Sequence, residues 1–425
     1  MRFQFRMFSA ITILSTVLAA PAYAGEDAVT FWNRTAVQTF LAAVPARPAP
    51  IPFLDVAMVQ IAVYDAVEAI DGRFKPYHVV IPGASGSKEA ATAKAAHDML
   101  VHLFPAQSPS LDTIYQQYQA DHFPANDPGV AVGAAAAAGI IALRANDGRF
   151  PPNPDPFNGG TDPGEWRPTP SFIGSPPAPP SFAPMAAPWL ADVTPFALKS
   201  GDQFRPVGPP PLSSNRYTKA YNEAKSMGAR FNSGRTPEQT DFALFWALNY
   251  ASVWNRVFRD LAEANLPDIG DRARLFALTT LAMADAAITA WDSKVAFHFW
   301  RPITAIRLGD SDTNPDTVGD PDWQPLVNTP NYPDFTSGAN NVTGAATRAL
   351  ALYFGTDDMD FTVRTTNTAA IQQTRDYSRF SDAAAEVVIA RVYQGIHFDF
   401  ADVEARKQGR HVADWVFGHF LRPVD

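Results

Sequence analysis

The chain has 425 residues, 46% of them hydrophobic and 18% charged, with a formal charge of −9 and no cysteine. This composition supports a large core and excludes overall disorder. The acidic balance argues against nucleic acid as a partner, and the absence of cysteine excludes disulfides, thiolate-bound zinc and thiol nucleophiles.

Residues 1–24 read as a secretory signal: Arg2 and Arg6, an apolar run over 7–19, then Ala22-Tyr23-Ala24. Cleavage near Ala24 gives a periplasmic or secreted protein, two charges more negative than the whole chain. The apolar run is too short to cross a bilayer, and no later stretch reads as a membrane span. An N-terminal helical part follows over 25–150, with helical apolar spacing at 29–43, 51–70, 89–103, 108–120 and 128–146. Residues 151–211 hold 18 of the 38 prolines, which rules out regular helix or central strand. Disordered linkers are poor in aromatics, yet this segment carries Trp166, Phe172, Phe182, Trp189, Phe196 and Phe204. It reads as a long extended strap pegged onto the helices, the alternative being a boundary between two helical halves.

Helical patterns resume over 212–425, at 214–226, 236–259 and 271–300. Thr236-Pro237-Glu238 is a helix start, with Thr as cap and Pro in the first turn. A polar loop spans 310–331. Further helices are expected from Thr336 or Ser337 to 354, and over 381–394 and 402–421. No strand alternation or Gly-rich nucleotide loop stands out. The expected class is an all-α helical bundle, with 25–425 as one compact domain.

Within WDSKVAFHFWRPITAIR, residues 291–307, Trp291, Lys294, His298 and Arg301 recur at spacings that put them on one helix face. Buried there, two cations need something negative between them; alternatively, both reach solvent along their stems. Pro302 biases Arg301 out of helical geometry. Two later segments sharpen the choice. DFTSGAN, 334–340, brings Ser337-Gly338 to a helix start, where free N–H groups favour anions. RVYQGIH, 391–397, sets Arg391 six residues before His397. Three cations, a hydroxyl, backbone donors and an imidazole suit a multiply charged tetrahedral oxyanion.

The run Lys294-x6-Arg301-Pro302, then Ser337-Gly338, then Arg391-x5-His397 resembles the three-part signature of vanadium-dependent haloperoxidases. These share their site with type 2 phosphatidic acid phosphatases and bacterial acid phosphatases. The likeness extends to WQPLVNTPNYPDF and to the Pro-rich strap, and so to most of the mature chain. It implies vanadate as cofactor, with phosphate able to occupy the same site, bonded through His397 as a neutral imidazole. Lys294, Arg301, Arg391, the Ser337 hydroxyl and the Gly338 N–H would bind its oxygens. Lys294 would also be catalytic, polarising a bound peroxide. The implied partners are hydrogen peroxide and a halide or small organic substrate; the oligomeric state is open, a homodimer being the alternative to a monomer.

One departure stands out. The family's second motif continues into an acid–base His, where this chain has Ala339, which transfers no proton. Candidate accessory groups are Trp291, His298, Asn340 and Asn341, and Asp399 and Asp402 are candidate acceptors orienting His397. Three functions are carried forward: a haloperoxidase-like oxidoreductase weakened or altered by Ala339, a phosphohydrolase with His397 as nucleophile, and a non-catalytic phosphate or vanadate binder.

Overall fold

A computed structural model describes residues 26–152, 154–171 and 182–424; the signal segment and Phe172 lie outside the described residues. The first half builds five helices: α1 (Ala28–Leu41), α2 (Ile51–Asp71), α3 (Lys88–Leu103), α4 (Ser108–His122) and α5 (Gly129–Arg144). Their ends follow local chemistry. Asp27 accepts the Thr30 N–H to open α1, Ser87 accepts the Ala90 N–H to open α3, and Gly72 closes α2 at φ 68°.

The second half continues with α6 (Asn215–Met227), α7 (Pro237–Phe245), α8 (Tyr250–Asn265), α9 (Ile269–Phe297), α10 (Pro302–Arg307) and α11 (Gly338–Phe354). It ends with α12 (Phe380–Tyr393) and α13 (Asp399–His419). The single helix expected over 236–259 is two. Thr236 and Gln239 form a capping box on α7, and Asn249 accepts the Ser252 N–H to start α8 afresh. A two-stranded antiparallel hairpin, β1 (Asp358–Arg364) with β2 (Thr374–Arg379), is an addition to the expected helices. Its strands bury only Phe361, Val363 and Tyr377, too short an alternation to stand out in sequence. The class is all-α.

Helix α9 is the axis. It packs against α2, α11 and α13, and an 18-residue apolar window within it, long enough to cross a membrane, is 94% buried inside the protein. Small residues let its neighbours close in. A Cβ on Gly409 of α13 would stand 2.0 Å from the Asn341 carbonyl oxygen, and one on Gly344 of α11 would stand 2.5 Å from that of Arg406.

The Pro-rich segment is tied along α9 at three levels. Buried Asp285 accepts the N–H groups of Phe196, Ala197 and Leu198 at 2.6, 2.7 and 2.9 Å. About two turns on, Asp292 takes a bidentate pair from Arg205, and Trp291 Nε1 donates to the Ala186 carbonyl at 3.0 Å. At the helix end, the His298 carbonyl accepts the Trp166 N–H. Trp166 and Phe196 are buried and Trp189 and Phe204 pack on the core, whereas Phe182 is 62% exposed.

Candidate active site

Lys294 lies on the last turn of α9, fully buried, its Nζ donating to the carbonyls of Pro333 at 2.7 Å and Asp334 at 3.1 Å. Helix α9 stops at Phe297, because His298 adopts left-handed backbone (φ 31°, ψ 41°). Arg301 therefore does not share a helix face with Lys294, as the spacing had implied. It is extended at φ −83°, ψ 156° ahead of Pro302, and the turn sends it inward instead. Its Nε donates to the Tyr332 carbonyl at 2.7 Å and its Nη1 to that of Ile396 at 2.6 Å. The Tyr332 ring lies beside both cations, with Lys294 Nζ 5.0 Å and Arg301 Cζ 4.9 Å from its centroid.

Ser337 precedes α11 without capping it by side chain, its hydroxyl being bonded to Asp402 and Asn340 beneath the helix start. A Cβ on Gly338 would stand 3.2 Å from the Trp291 ring, a close contact. Arg391 sits on the last turn of α12, with Nη1 donating to Gln394 Oε1 at 2.9 Å. Gly395, at φ 76°, turns the chain so that His397 comes back into the interior.

His397 Nδ1 lies 2.7 Å from Asp334 Oδ1, both side chains having no exposure. The contact is one of charge and proximity, neither Asp334 oxygen having a hydrogen-bond partner among the described residues. Nε2 in turn lies 2.9 Å from Arg301 Nη1, which donates to it. Burial, and then the charges of Arg301, Arg391 and Lys294, hold the imidazole pKa well below its usual range, so the ring is neutral. Burial likewise depresses Lys294, with the Arg301 charge second, and pushes Asp334 up to about 7 against the pull of Arg301 and Lys294.

Two polar atoms settle whether this set suits an oxyanion. Arg301 Nη2 and Arg391 Nε are buried and have no hydrogen-bond partner. Unpartnered buried guanidinium donors carry a desolvation cost that a bound anion would offset beyond the Asp334 charge, 3.7 Å from Arg301 Nη1. The residues fit a vanadate- or phosphate-like group.

Above them opens a cavity of about 450 Å³ whose lining includes Gly338, Ala339, Arg391, Trp291 and Tyr332. The Ala339 methyl faces this space. The other accessory candidates divide. Trp291 lines the cavity while its indole N–H is bonded to the strap. His298 is half-buried near Phe157, 6.3 Å between ring centroids, and is not on the cavity wall. Asn340 donates to Asp402 Oδ1 at 2.7 Å and Asn341 to Gln408 Oε1 at 2.7 Å, so both point behind the helix start. Neither Asp399 nor Asp402 orients His397. Asp399 pairs with Arg216, and Asp402 is held beneath Ser337 by Asn340. Asp334, Tyr332 and Gln394 were missed in sequence, although Asp334 opens the very stretch that carries Ser337.

A buried imidazole backed by a carboxylate and ringed by three cations, at one end of a helical bundle, defines the class as a helical oxyanion-site protein. Comparison with known proteins agrees. The family model for the VCPO second helical-bundle domain matches residues 274–425. Over 208 residues, 41% of the chain, there is 31% identity to vanadium chloroperoxidase of Curvularia inaequalis; the chain spans 33% of that relative's length. The fold superposes on a bacterial vanadium-dependent iodoperoxidase with a TM-score of 0.78 at 25% identity, covering 94% of this chain and 97% of the other. It also superposes on a holo-type bacterial vanadium-dependent chloroperoxidase with a TM-score of 0.74 at 17% identity, covering 92% and 97%, a likeness of fold alone. Over residues 274–425 the sequence, and over most of its length the fold, are similar to those of vanadium-dependent haloperoxidases.

Proposed function

We propose that the protein is a haloperoxidase-like oxidoreductase that uses hydrogen peroxide at vanadate held by His397, with a halide or small organic molecule as co-substrate. The observation that carries this reading is the pair of unpartnered donors, Arg301 Nη2 and Arg391 Nε, beside a neutral His397 that faces Asp334.

Vanadate, when bound, supplies a Lewis-acidic centre at which peroxide becomes electrophilic. The chain supplies the rest. His397 would offer its Nε2 lone pair, the nitrogen to which Arg301 can only donate, with the Asp334 charge beside Nδ1 favouring the proton there. Arg301 would hold an oxyanion oxygen through Nη2. Lys294 has two of its three N–H donors committed to carbonyls and would have the third to offer. The Gly338 N–H, and the Ser337 hydroxyl if it left Asp402, would hold the group from the α11 end, where the helix dipole adds to the field.

Ala339 supplies no imidazole acid on the cavity side of this cradle. General acid–base help is worth roughly 10²–10⁴-fold, so the reading is of slow turnover on a competent binding site. A phosphohydrolase with His397 as nucleophile would suffer more, because an alcohol leaving group needs that proton.

The test is calorimetric titration of phosphate-free protein with vanadate, repeated on His397→Ala, followed by bromide oxidation with peroxide. Tight binding that the variant loses, with measurable oxidation, supports the reading. Binding without oxidation, but with hydrolysis of a nitrophenyl phosphate, favours the phosphohydrolase. Binding with neither activity favours a non-catalytic anion carrier. We further infer export through the 1–24 segment, which N-terminal sequencing of the periplasmic or secreted fraction tests.

A further inference from the structure

The cavity over the candidate site is far larger than a halide requires. At about 450 Å³ it lies within the range typical of pockets for organic ligands. Its walls include Pro50 and Phe53 at the start of α2, Ala251 on α8, Trp291 on α9, Ala339 and Val342 on α11, and the 327–332 loop with Tyr332. Arg391 is the one charged residue on the described lining.

Several polar side chains on the wall are committed elsewhere, the Tyr332 hydroxyl being a polar group toward the floor. Asn249 accepts the Ser252 N–H, Tyr250 donates to the Trp246 carbonyl, Gln394 bonds Arg391 and the Ala243 carbonyl, and the Trp291 N–H bonds Ala186. A small anion between such walls would lose its hydration without recovering it, except at the floor beside Arg391 and the Gly338 N–H. An apolar molecule gains from the apolar walls. Ala339 adds to this. Its side chain extends the apolar wall beside Gly338 at the floor.

We propose that this cavity binds an apolar organic molecule, of the size of a bicyclic aromatic, against Phe53, Trp291 and Val342, with one edge over Ala339 and next to the oxyanion floor. The molecule is thus a bound substrate of the same site rather than a target met only in free solution. This rests on the reading of the floor given above.

Calorimetry of the mature protein with indole as the probe, alone and with saturating inorganic phosphate on the floor, tests the proposal. Saturable one-to-one binding is expected. Ala339→Trp is expected to weaken it at least tenfold while phosphate affinity stays within about twofold. Phe53→Ala, which removes a wall instead of filling the space, is expected to weaken indole binding severalfold and decides the matter if Ala339→Trp fails to fold. Phosphate binding without saturable indole binding overturns the inference and leaves the oxyanion floor standing. Indole affinity unchanged in both variants also overturns it. Failure of both ligands to bind removes the underlying reading as well.

Discussion

His397 Nδ1 and Asp334 Oδ1 lie 2.7 Å apart, with no solvent reaching either side chain. At that distance the carboxylate's charge favours the proton on the nitrogen facing it, and so a lone pair on the other. Groups in this position typically account for 10–100-fold in affinity at a metal-binding histidine. Asp334→Asn is nearly isosteric but can present its N–H₂ to the ring. It is expected to weaken vanadate binding about 10–100-fold, read by calorimetry, with little loss of thermal stability. Unchanged affinity would mean that Arg301 alone orients the imidazole.

Ala339→His should restore an acid–base group to the cavity side of the floor. The Ala339 methyl borders open space, so an imidazole can be housed without displacing a neighbour. Bromide oxidation is expected to rise about 10²-fold or more, with vanadate affinity within a few-fold of the parent. A variant that binds vanadate and gains nothing would show that the pocket lacks more than its acid. The same variant should lose indole affinity, because the added ring occupies the apolar space.

Most of the helices and the three motif segments were legible in sequence because each rests on local signals: apolar spacing, caps, and fixed intervals between charged residues. What escaped reading at the site depended largely on one turn. The left-handed backbone at His298 ends α9 before Arg301, so a spacing that suggested one helix face became two elements converging from different directions. The same turn sends the His298 ring toward Phe157 and away from the cavity. Asp334 was hidden for a different reason. Its role is defined by His397, brought to it only when α12 and α13 fold back over α11, and no sequence interval encodes that approach. Asp402 illustrates the converse: nearness in sequence to His397 suggested a partner, while helical geometry turned it toward Asn340.

Contact between α11 and α13 depends on backbone proximity rather than on large side chains. A Cβ at Gly409 would meet the Asn341 carbonyl oxygen at 2.0 Å and the Ala345 nitrogen at 2.9 Å, both main-chain atoms that cannot swing aside. Gly409→Ala is expected to destabilise the fold by about 1–3 kcal/mol, the usual cost of overpacking, read as a lower urea midpoint. Because α11 carries Ser337 and Gly338 at its start, vanadate affinity should fall with it. Gly418, on the same helix, is the control, since a Cβ there would meet no atom within 4 Å. Gly418→Ala is expected to be neutral or slightly stabilising.

Asp55 on α2 gives a pH dependence remote from the site. It is fully buried, with Arg47 Nε at 3.2 Å and Arg149 Nη1 at 3.7 Å, and neither of its oxygens accepts a hydrogen bond. Burial pushes its pKa from 3.8 to about 6, outweighing the two guanidinium groups. A carboxyl raised in the folded state binds more protons there than in the unfolded chain between about pH 4 and 6. Its contribution therefore favours folding at the acidic end, is lost as pH rises through that window, and stays lost above it. A displacement of that size corresponds to about 3 kcal/mol at most. Other groups titrate over the same range, so the informative quantity is the difference between the parent and Asp55→Asn. Between pH 4.5 and 7.5 the urea midpoint should drop further in the parent than in the variant, by the equivalent of about 1–3 kcal/mol. A larger drop in the variant would mean that the pairs with Arg47 and Arg149 outweigh the cost of burying the charge.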